Sequence, residues 1–307
     1  VDRPRIVVIA GPTAGGKSAA ALELAGLFEA EIVNADSMQV YRYLDIGTAK
    51  PTQAEKKSVP HHLIDILYPD EEFSAALYRE EAQRVIADVE ARGKRAMVVG
   101  GTGLYIKALT SGLIRGGEVD PAIRKRLQAE AQAGGREELY QRLQEADPAT
   151  AAQLHPHDTY RVIRALEVYE RTGQPISTLR KMHLFKEGPY QTLKIGLQKE
   201  REELYNRIDK RVEGMITQGL KEEVERILKM GYAPSLKALQ SLGYKQIIHH
   251  LQGAYDLAEA IRLIKRDTRR YARRQLTWFK GDSEIRWIEY PRDSAVVKDM
   301  IKGFWRN

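Results

Sequence analysis

Short apolar runs and longer amphipathic stretches alternate along the first hundred residues. Residues 6–9 form a β-branched run, as a buried strand does, followed by a glycine-rich turn and a helical stretch over 19–28. Residues 32–35 and 96–99 repeat the strand pattern, the latter again running into glycines. Strands alternating with helical stretches predict a parallel sheet covered by helices. The pattern changes after Gly117. Asp120 and Pro121 give a cap and a first-turn proline, and Gly134 a stop. Asp147 and Pro148 repeat the start signal, and Asp158 and Gly173 bracket another helix. Residues 118–182 carry no strand pattern, whereas 192–197 do. Three helical stretches follow. Leu204, Ile208, Val212, Met215, Leu220, Val224 and Ile227 recur at helical spacing, and 285–288 read as a last strand. The expected fold class is α/β, a parallel sheet core with an inserted all-helical domain. The core covers residues 1–115 and 198–307, and the insertion 116–197.

Composition narrows the chemistry. The 307 residues are 43% hydrophobic and 30% charged, enough for a core in two domains or one domain with an insertion. The absence of cysteine removes disulfides, cysteine nucleophiles and thiolate zinc sites. No apolar run approaches the ~20 residues that span a bilayer. Residues 1–9 are too short and too quickly charged for a signal peptide, so no membrane association and a cytoplasmic location are expected. His61 and His62 have no partner at metal-ligand spacing and read as structural.

The net charge of +7 suits a polyanionic partner, and its distribution sharpens that reading. Residues 262–280 hold eight basic residues and one acid, Asp267. On a helix, Ile261, Ile264, Thr268, Tyr271, Gln275 and Trp278 share one arc, the expected core face. Arg262, Lys265, Arg266, Arg269, Arg270, Arg273 and Arg274 cover the other side. So uniform a sign repels itself unless anions neutralise it, which suits a polyanionic partner.

Residues 11–18 read G-P-T-A-G-G-K-S, the P-loop pattern, with a strand before it and a helix after. Backbone amides from Gly11 through Gly15 and Gly16, with Thr13 and Ala14 between, would turn around phosphate oxygens at a helix amino terminus. Lys17 supplies a point charge, and Ser18 can ligate a magnesium ion. A nucleotide triphosphatase normally adds a magnesium-associated aspartate after a second strand. The strand at 96–99 leads into G-G-T-G-L-Y with no acid, leaving Asp36 as the candidate. Two readings stay open here: a nucleotide-driven kinase, or an enzyme that grips a diphosphate leaving group.

Five further motifs stand in order behind this loop: D-S-M-Q-V-Y at 36–41, P-H-H-L-I-D at 60–65, G-G-T-G-L-Y at 100–105, R-V-I-R-A-L-E at 161–167 and Y-A-R-R-Q-L-T-W-F at 271–279. Together they resemble the bacterial tRNA dimethylallyltransferases, also called tRNA isopentenyltransferases, over nearly the whole chain. The resemblance implies a P-loop NTPase-like core carrying a helical insertion. It also implies transfer of a dimethylallyl group from dimethylallyl diphosphate to the exocyclic amine of the adenosine 3′-adjacent to the anticodon in tRNA. Asp36 is then the general base for an amine whose lone pair is delocalised into the ring. Thr13 and Thr102 stand beside the reacting groups. Lys17, Ser18, Arg207 and a magnesium ion meet the diphosphate as charge develops on it. The resemblance assigns tRNA contacts to Asp36, Ser37, Met38, Gln39 and Thr102, to Arg124, Tyr160, Arg161, Val162, Ile163 and Arg164, and to Gln240, Gly243, Tyr244 and Lys245. To these the basic helix adds Arg266, Arg269, Arg270 and Arg273. The target base must leave its stack to reach Asp36. The partners expected are a tRNA anticodon stem-loop and dimethylallyl diphosphate, with the enzyme a monomer. The alternatives are an adenylate isopentenyltransferase, which needs neither insertion nor basic helix, a P-loop kinase for a small metabolite, and a noncatalytic RNA-binding protein.

Overall fold

The computed structural model describes residues 3–113, 120–183 and 188–306. Along the chain come β1 (Arg5–Ala10), α1 (Lys17–Phe28), β2 (Ala30–Asn34), α2 (Gln53–Ser58), β3 (His61–His62), α3 (Ala75–Ala91), β4 (Arg95–Gly100) and α4 (Gly103–Ser111). Five helices follow: α5 (Pro121–Gln132), α6 (Arg136–Ala146), α7 (Pro148–Ala151), α8 (Thr159–Thr172) and α9 (Ile176–His183). The chain closes with β5 (Gln191–Leu197), α10 (Arg201–Thr217), α11 (Leu220–Lys229), α12 (Tyr244–Leu251), α13 (Leu257–Lys280), β6 (Arg286–Ile288) and α14 (Ser294–Arg306).

The six strands make one parallel sheet in the order β3-β2-β4-β1-β5-β6. β1 and β4 are nearly unbroken apolar runs because both their faces are covered. Val7, Ile9, Met97 and Val99 point to one face and pack with Ala20 and Leu24 of α1 and with Val297 and Ile301 of α14. Ile6, Val8, Ala96 and Val98 point to the other, against Tyr78 and Ile86 of α3 and Tyr105 and Leu109 of α4. Each Val, Ile, Leu or Met among them contributes roughly 1.5–3 kcal/mol when fully buried. A third cluster joins α10 to α13 through Ile208, Val212, Val224, Ile247 and Ile264, and also holds Val40 and Leu44. Because the strands are parallel, the loops after β1, β2 and β4 emerge on one edge of the sheet, where open α/β sheets place their ligands.

The chain divides into two compact units, residues 1–110 with 189–307 and residues 111–188. This corrects the expected end of the insertion. β5 pairs with β1 from Gln191 to Gly196, Ile195 opposite Ile9, and Leu197 pairs with Ile288 of β6, so residues 191–197 belong to the sheet. Its partner lies far earlier in the chain, and periodicity alone does not reveal such pairing. The expected opening boundary at 115/116, with Gly116 and Gly117, falls in residues 114–119, outside the described residues.

The second unit has five helices and no strand among its described residues. Asp120 caps α5 by accepting from Ala122 and Ile123 N–H, with Pro121 in the first turn. Asp147 and Asp158 cap α7 and α8 in the same way. Leu127, Leu139, Leu143, Val162, Ile163 and Leu166 form its core. Among the described residues no helix is long and apolar enough to cross a membrane.

Candidate active site

The loop after β1 is shaped for close backbone approach. Gly11 sits at φ 144, and a Cβ there would stand 2.6 Å from the Leu197 carbonyl oxygen of the neighbouring strand. Gly16, at φ 94, precedes α1 and offers no side-chain cap, so the first-turn N–H groups are left for a ligand. Lys17 Nζ donates to the Pro12 carbonyl at 2.7 Å, folding its charge back over the loop. Burial pulls its pKa down to about 8, an effect that Asp36 opposes and Arg211 reinforces. Ala14, Gly15, Gly16, Lys17, Ser18, Arg207 and Arg211 line a cavity of about 260 Å³. Arg207, expected at the diphosphate, is thus beside the loop, where its guanidinium also meets Glu203 at 3.1 Å.

Asp36 follows β2 in a turn fixed from three sides. Asn34 Oδ1 accepts from the Asp36 N–H, and Asn34 Nδ2 donates to the Asp36 and Leu63 carbonyls. Ser37 N–H donates to Thr102 Oγ1 at 3.0 Å, and Thr102 N–H donates to the Ala35 carbonyl at 3.1 Å. Asp36 Oδ1 accepts from Met38 N–H at 2.9 Å, while Oδ2 has no hydrogen-bond partner among the described residues. One oxygen therefore orients the carboxylate and the other is left for a proton.

Two more cavities meet at this carboxylate. The smaller, about 90 Å³, has apolar walls from Ala21, Leu22, Ile32, Ile64 and Val99 together with Lys17, Ser18 and Gln39. The larger is a groove of about 650 Å³ that includes Ser37, Met38, Gln240, Gly243, Lys245, Arg266 and Arg270. Thr13, Asp36, Arg211 and Tyr271 line both. Arg211 also lines the phosphate cavity, so it touches all three. Burial lowers its pKa and Asp36 raises it. Tyr271 is held protonated, first by burial and then by the charge of Asp36.

The structure sorts the remaining candidates. Thr102 orients the Asp36 turn and is not among the residues lining these cavities. Tyr244 is a correction. It is fully buried and its hydroxyl donates to Glu223 Oε1 at 2.6 Å, so its side chain offers RNA nothing. The buried Glu223 also accepts from the Asp45, Ile46 and Gly47 N–H groups, fixing the segment that carries Gly47 and Thr48 into the groove wall. In the second unit Val162 and Ile163 are core residues, and their side chains are likewise unavailable. Arg124 and Arg164 both donate to the buried Glu167, which ties them to the interior of their own unit. Arg161 pairs with Asp158, whereas Tyr160 is 71% exposed.

The basic helix α13 differs from the helical-wheel expectation in two ways. Thr268 and Tyr271 face the groove rather than a core, and Trp278 is 49% exposed. The charges are not unopposed. Arg262 pairs with Glu259, Lys265 with Glu213, Arg266 with Asp267 and Arg269 with Asp209, and Arg270 shares Asp267 at 3.6 Å. Two of those acids lie on α10, which a wheel of α13 does not contain. Arg270, Arg273 and Arg274 are the exposed arginines of the central stretch. The sequence reading missed Arg211 and placed Tyr271 and Gln275 on a core arc. Arg207 and Arg211 stand four apart in N-R-I-D-K-R, a spacing that puts both on one helix face and was the available signal.

Comparison with known proteins identifies the family. Residues 39–282 match the family described as IPP transferase. A tRNA dimethylallyltransferase of Geobacter metallireducens is 53% identical over 99% of this chain and 98% of its own length. Another, tRNA dimethylallyltransferase 1 of Citrifermentans bemidjiense, is 55% identical over 98% and 97%. The solved full-length tRNA isopentenylpyrophosphate transferase of Bacillus halodurans superposes with a TM-score of 0.73 at 38% identity, covering 98% of this chain and 97% of that one. A eukaryotic dimethylallyltransferase solved acting on tRNA gives a TM-score of 0.82 at 28% identity, over 97% and 78%.

Proposed function

The chain belongs to the IPP transferase family, and we propose that it transfers a dimethylallyl group from dimethylallyl diphosphate to the exocyclic amine of the adenosine 3′-adjacent to the anticodon in tRNA. The observation that carries this reading is that the small chamber and the groove share Asp36, Thr13 and Tyr271, and that Arg211 lines both of them and the phosphate cavity as well. A phosphate cradle, a small chamber with an aliphatic wall of Ala21, Leu22, Ile32, Ile64 and Val99, and a large open groove suit a diphosphate, a five-carbon group and a large acceptor.

The first-turn amides of α1, with Lys17, Arg207 and Arg211, hold the diphosphate. The allylic carbon–oxygen bond breaks, and its electron pair leaves on the diphosphate, whose growing charge these donors stabilise. The adenine nitrogen forms the new bond to carbon and gives its proton to Asp36 Oδ2. Ser18, exposed at the start of α1, lines both the cradle and the small chamber. That single hydroxyl beside a diphosphate fits magnesium, which keeps waters and phosphate oxygens as most of its ligands. Bound there, the ion would offset charge on the leaving oxygens. The groove receives the extruded base, with Lys245, Arg270 and Arg274 at its walls to meet backbone phosphates. One chain supplies all these groups, so a monomer suffices.

Incubating the protein with undermodified tRNA and radiolabelled dimethylallyl diphosphate tests the reading. Label in tRNA is expected. Label entering free adenylate but not tRNA, or nucleotide triphosphate turnover without transfer, would replace it with one of the two rival activities.

A further inference from the structure

Gln275 lies on α13, yet its amide belongs to neither the helix surface nor a hydrophobic cluster. It is 6% exposed. Oε1 accepts from the Thr13 N–H at 2.8 Å, and Nε2 donates to the Gly101 carbonyl at 2.9 Å. One side chain therefore bridges the loop after β1 and the loop after β4. Each loop leads directly to the chemistry. Thr13 lines both the small chamber and the groove. Gly101 precedes Thr102, whose hydroxyl accepts from the Ser37 N–H beside Asp36.

The glycines of G-G-T-G are cut to fit this helix. A Cβ on Gly101 would collide with Gln275 Nε2, and one on Gly103 would collide with the Trp278 ring, three residues further along α13. Gly100 is pressed in turn against the Ala35 carbonyl, immediately before Asp36. The contacts run from α13 through the glycine loop to the Asp36 turn, and separately from α13 to the phosphate loop.

We propose that Gln275 is a positioning residue that fixes the phosphate loop and the Asp36–Thr102 pair at the separation the transfer requires. The proposal rests on the reading of the site as a prenyl transfer centre. Its amide is suited because it accepts from one backbone group and donates to another, while the Tyr271 hydroxyl stands against the same side chain. With its N–H committed to Gln275, Thr13 does not offer that donor to the diphosphate, and the cradle of amides begins at Ala14. The leaving group is held by one loop and the proton acceptor by another. Gln275 also contributes to the wall of the small chamber, so binding is measured separately from rate. A shift of about 1 Å between the two loops costs on the order of 100-fold in rate.

Two variants test this. Gln275→Met keeps the length and loses both hydrogen bonds. Gln275→Glu keeps the acceptor for Thr13 but sets a carboxylate oxygen against the Gly101 carbonyl, a clash relieved when that oxygen is protonated. Single-turnover transfer is measured with both substrates saturating, alongside separate dissociation constants for tRNA and dimethylallyl diphosphate and a melting curve. For Gln275→Met the expected result is a rate about 10- to 100-fold below the parent, with both dissociation constants within about threefold. For Gln275→Glu the rate divided by the parent's at the same pH should rise as pH falls from 8 to 6, a signature that lost packing does not produce. A Gln275→Met rate equal to the parent's overturns the proposal. So does a rate loss explained by weaker substrate binding, or a flat pH ratio for Gln275→Glu. If Gln275→Met does not fold, the pH ratio decides alone. A parent enzyme that fails to prenylate tRNA instead removes the functional reading and this proposal with it.

Discussion

Asp36 has one oxygen engaged by Met38 N–H and the other open toward the cavities, which separates holding the carboxylate from using it. Asp36→Asn keeps the size and the bond to Met38 but cannot take a proton. Its single-turnover rate is expected to fall ~100- to 10,000-fold while both substrates still bind. A rate within threefold of the parent would remove the assignment. Lys17 gives a prediction with a sign. Its pKa lies near 8 in the free protein against an ordinary 10.5, because burial outweighs the attraction of Asp36. The unfolded chain thus binds more protons between those values, and the stability this group contributes rises with pH across that window. A bound diphosphate restores the charged form. Below pH 8 the amine is already protonated and takes up nothing. Between about pH 8 and 10.5 binding draws in a proton, approaching about one per site near pH 9. Calorimetry in buffers of different ionisation enthalpy reads this directly, and Lys17→Met should abolish it. Lys17, Ser18 and Asp36 were legible in the sequence because each stands in a short motif next to a strand end. Tyr271, Gln275 and Glu223 were not, because their partners come from segments distant in the chain. Tyr244 carried the opposite lesson: a motif position can be a buried hydroxyl that serves the fold.

At the scale of elements, the strands were readable wherever both faces are buried, since β1 and β4 are apolar throughout. What α13 does depended on its neighbours. The helical wheel gave its charges correctly but not their partners, and α10 supplies Asp209 and Glu213 to two of them. Arg269 is thus part of the packing between these helices and also lies over the Tyr205 ring. Arg270, which approaches Asp267 at 3.6 Å, and Arg273 and Arg274 are the exposed arginines of the central stretch of α13 and the candidates for RNA contact. Changing these three to Gln should weaken tRNA binding and lower the slope of log affinity against log salt by up to about 2 to 3 units. Diphosphate affinity should stay near the parent's, since the cradle is untouched. Arg269→Gln should instead lower the melting temperature, because it leaves Asp209 without its partner. A salt series of binding curves separates the two, and an unchanged slope in a well-folded triple variant would show that these arginines are only solvated.

For the whole molecule, the division into two units has an energetic meaning, because the second unit has a core of its own. Leu143 is fully buried there beside Leu127, Leu139 and Leu166. Glu167, also fully buried, adds a polar centre by accepting from Arg124, Arg164 and the Asp120 N–H. The sequence showed that this region is helical through its Asp-Pro starts and glycine stops. It did not show that two of its arginines are consumed internally, because Glu167 reads as one more surface acid until its burial is known. Leu143→Ala removes three heavy atoms from this core and should cost about 2–5 kcal/mol of local stability. None of the described residues that line the three cavities belongs to the second unit, so the variant should bind dimethylallyl diphosphate within about threefold of the parent. Hydrogen exchange should rise in peptides from 120–183 and stay near parent levels in the phosphate loop and α13, as expected for cooperative units of unequal stability. If exchange rises equally in the phosphate loop, the two units unfold as one, and the insertion is part of what holds the catalytic edge of the sheet in place.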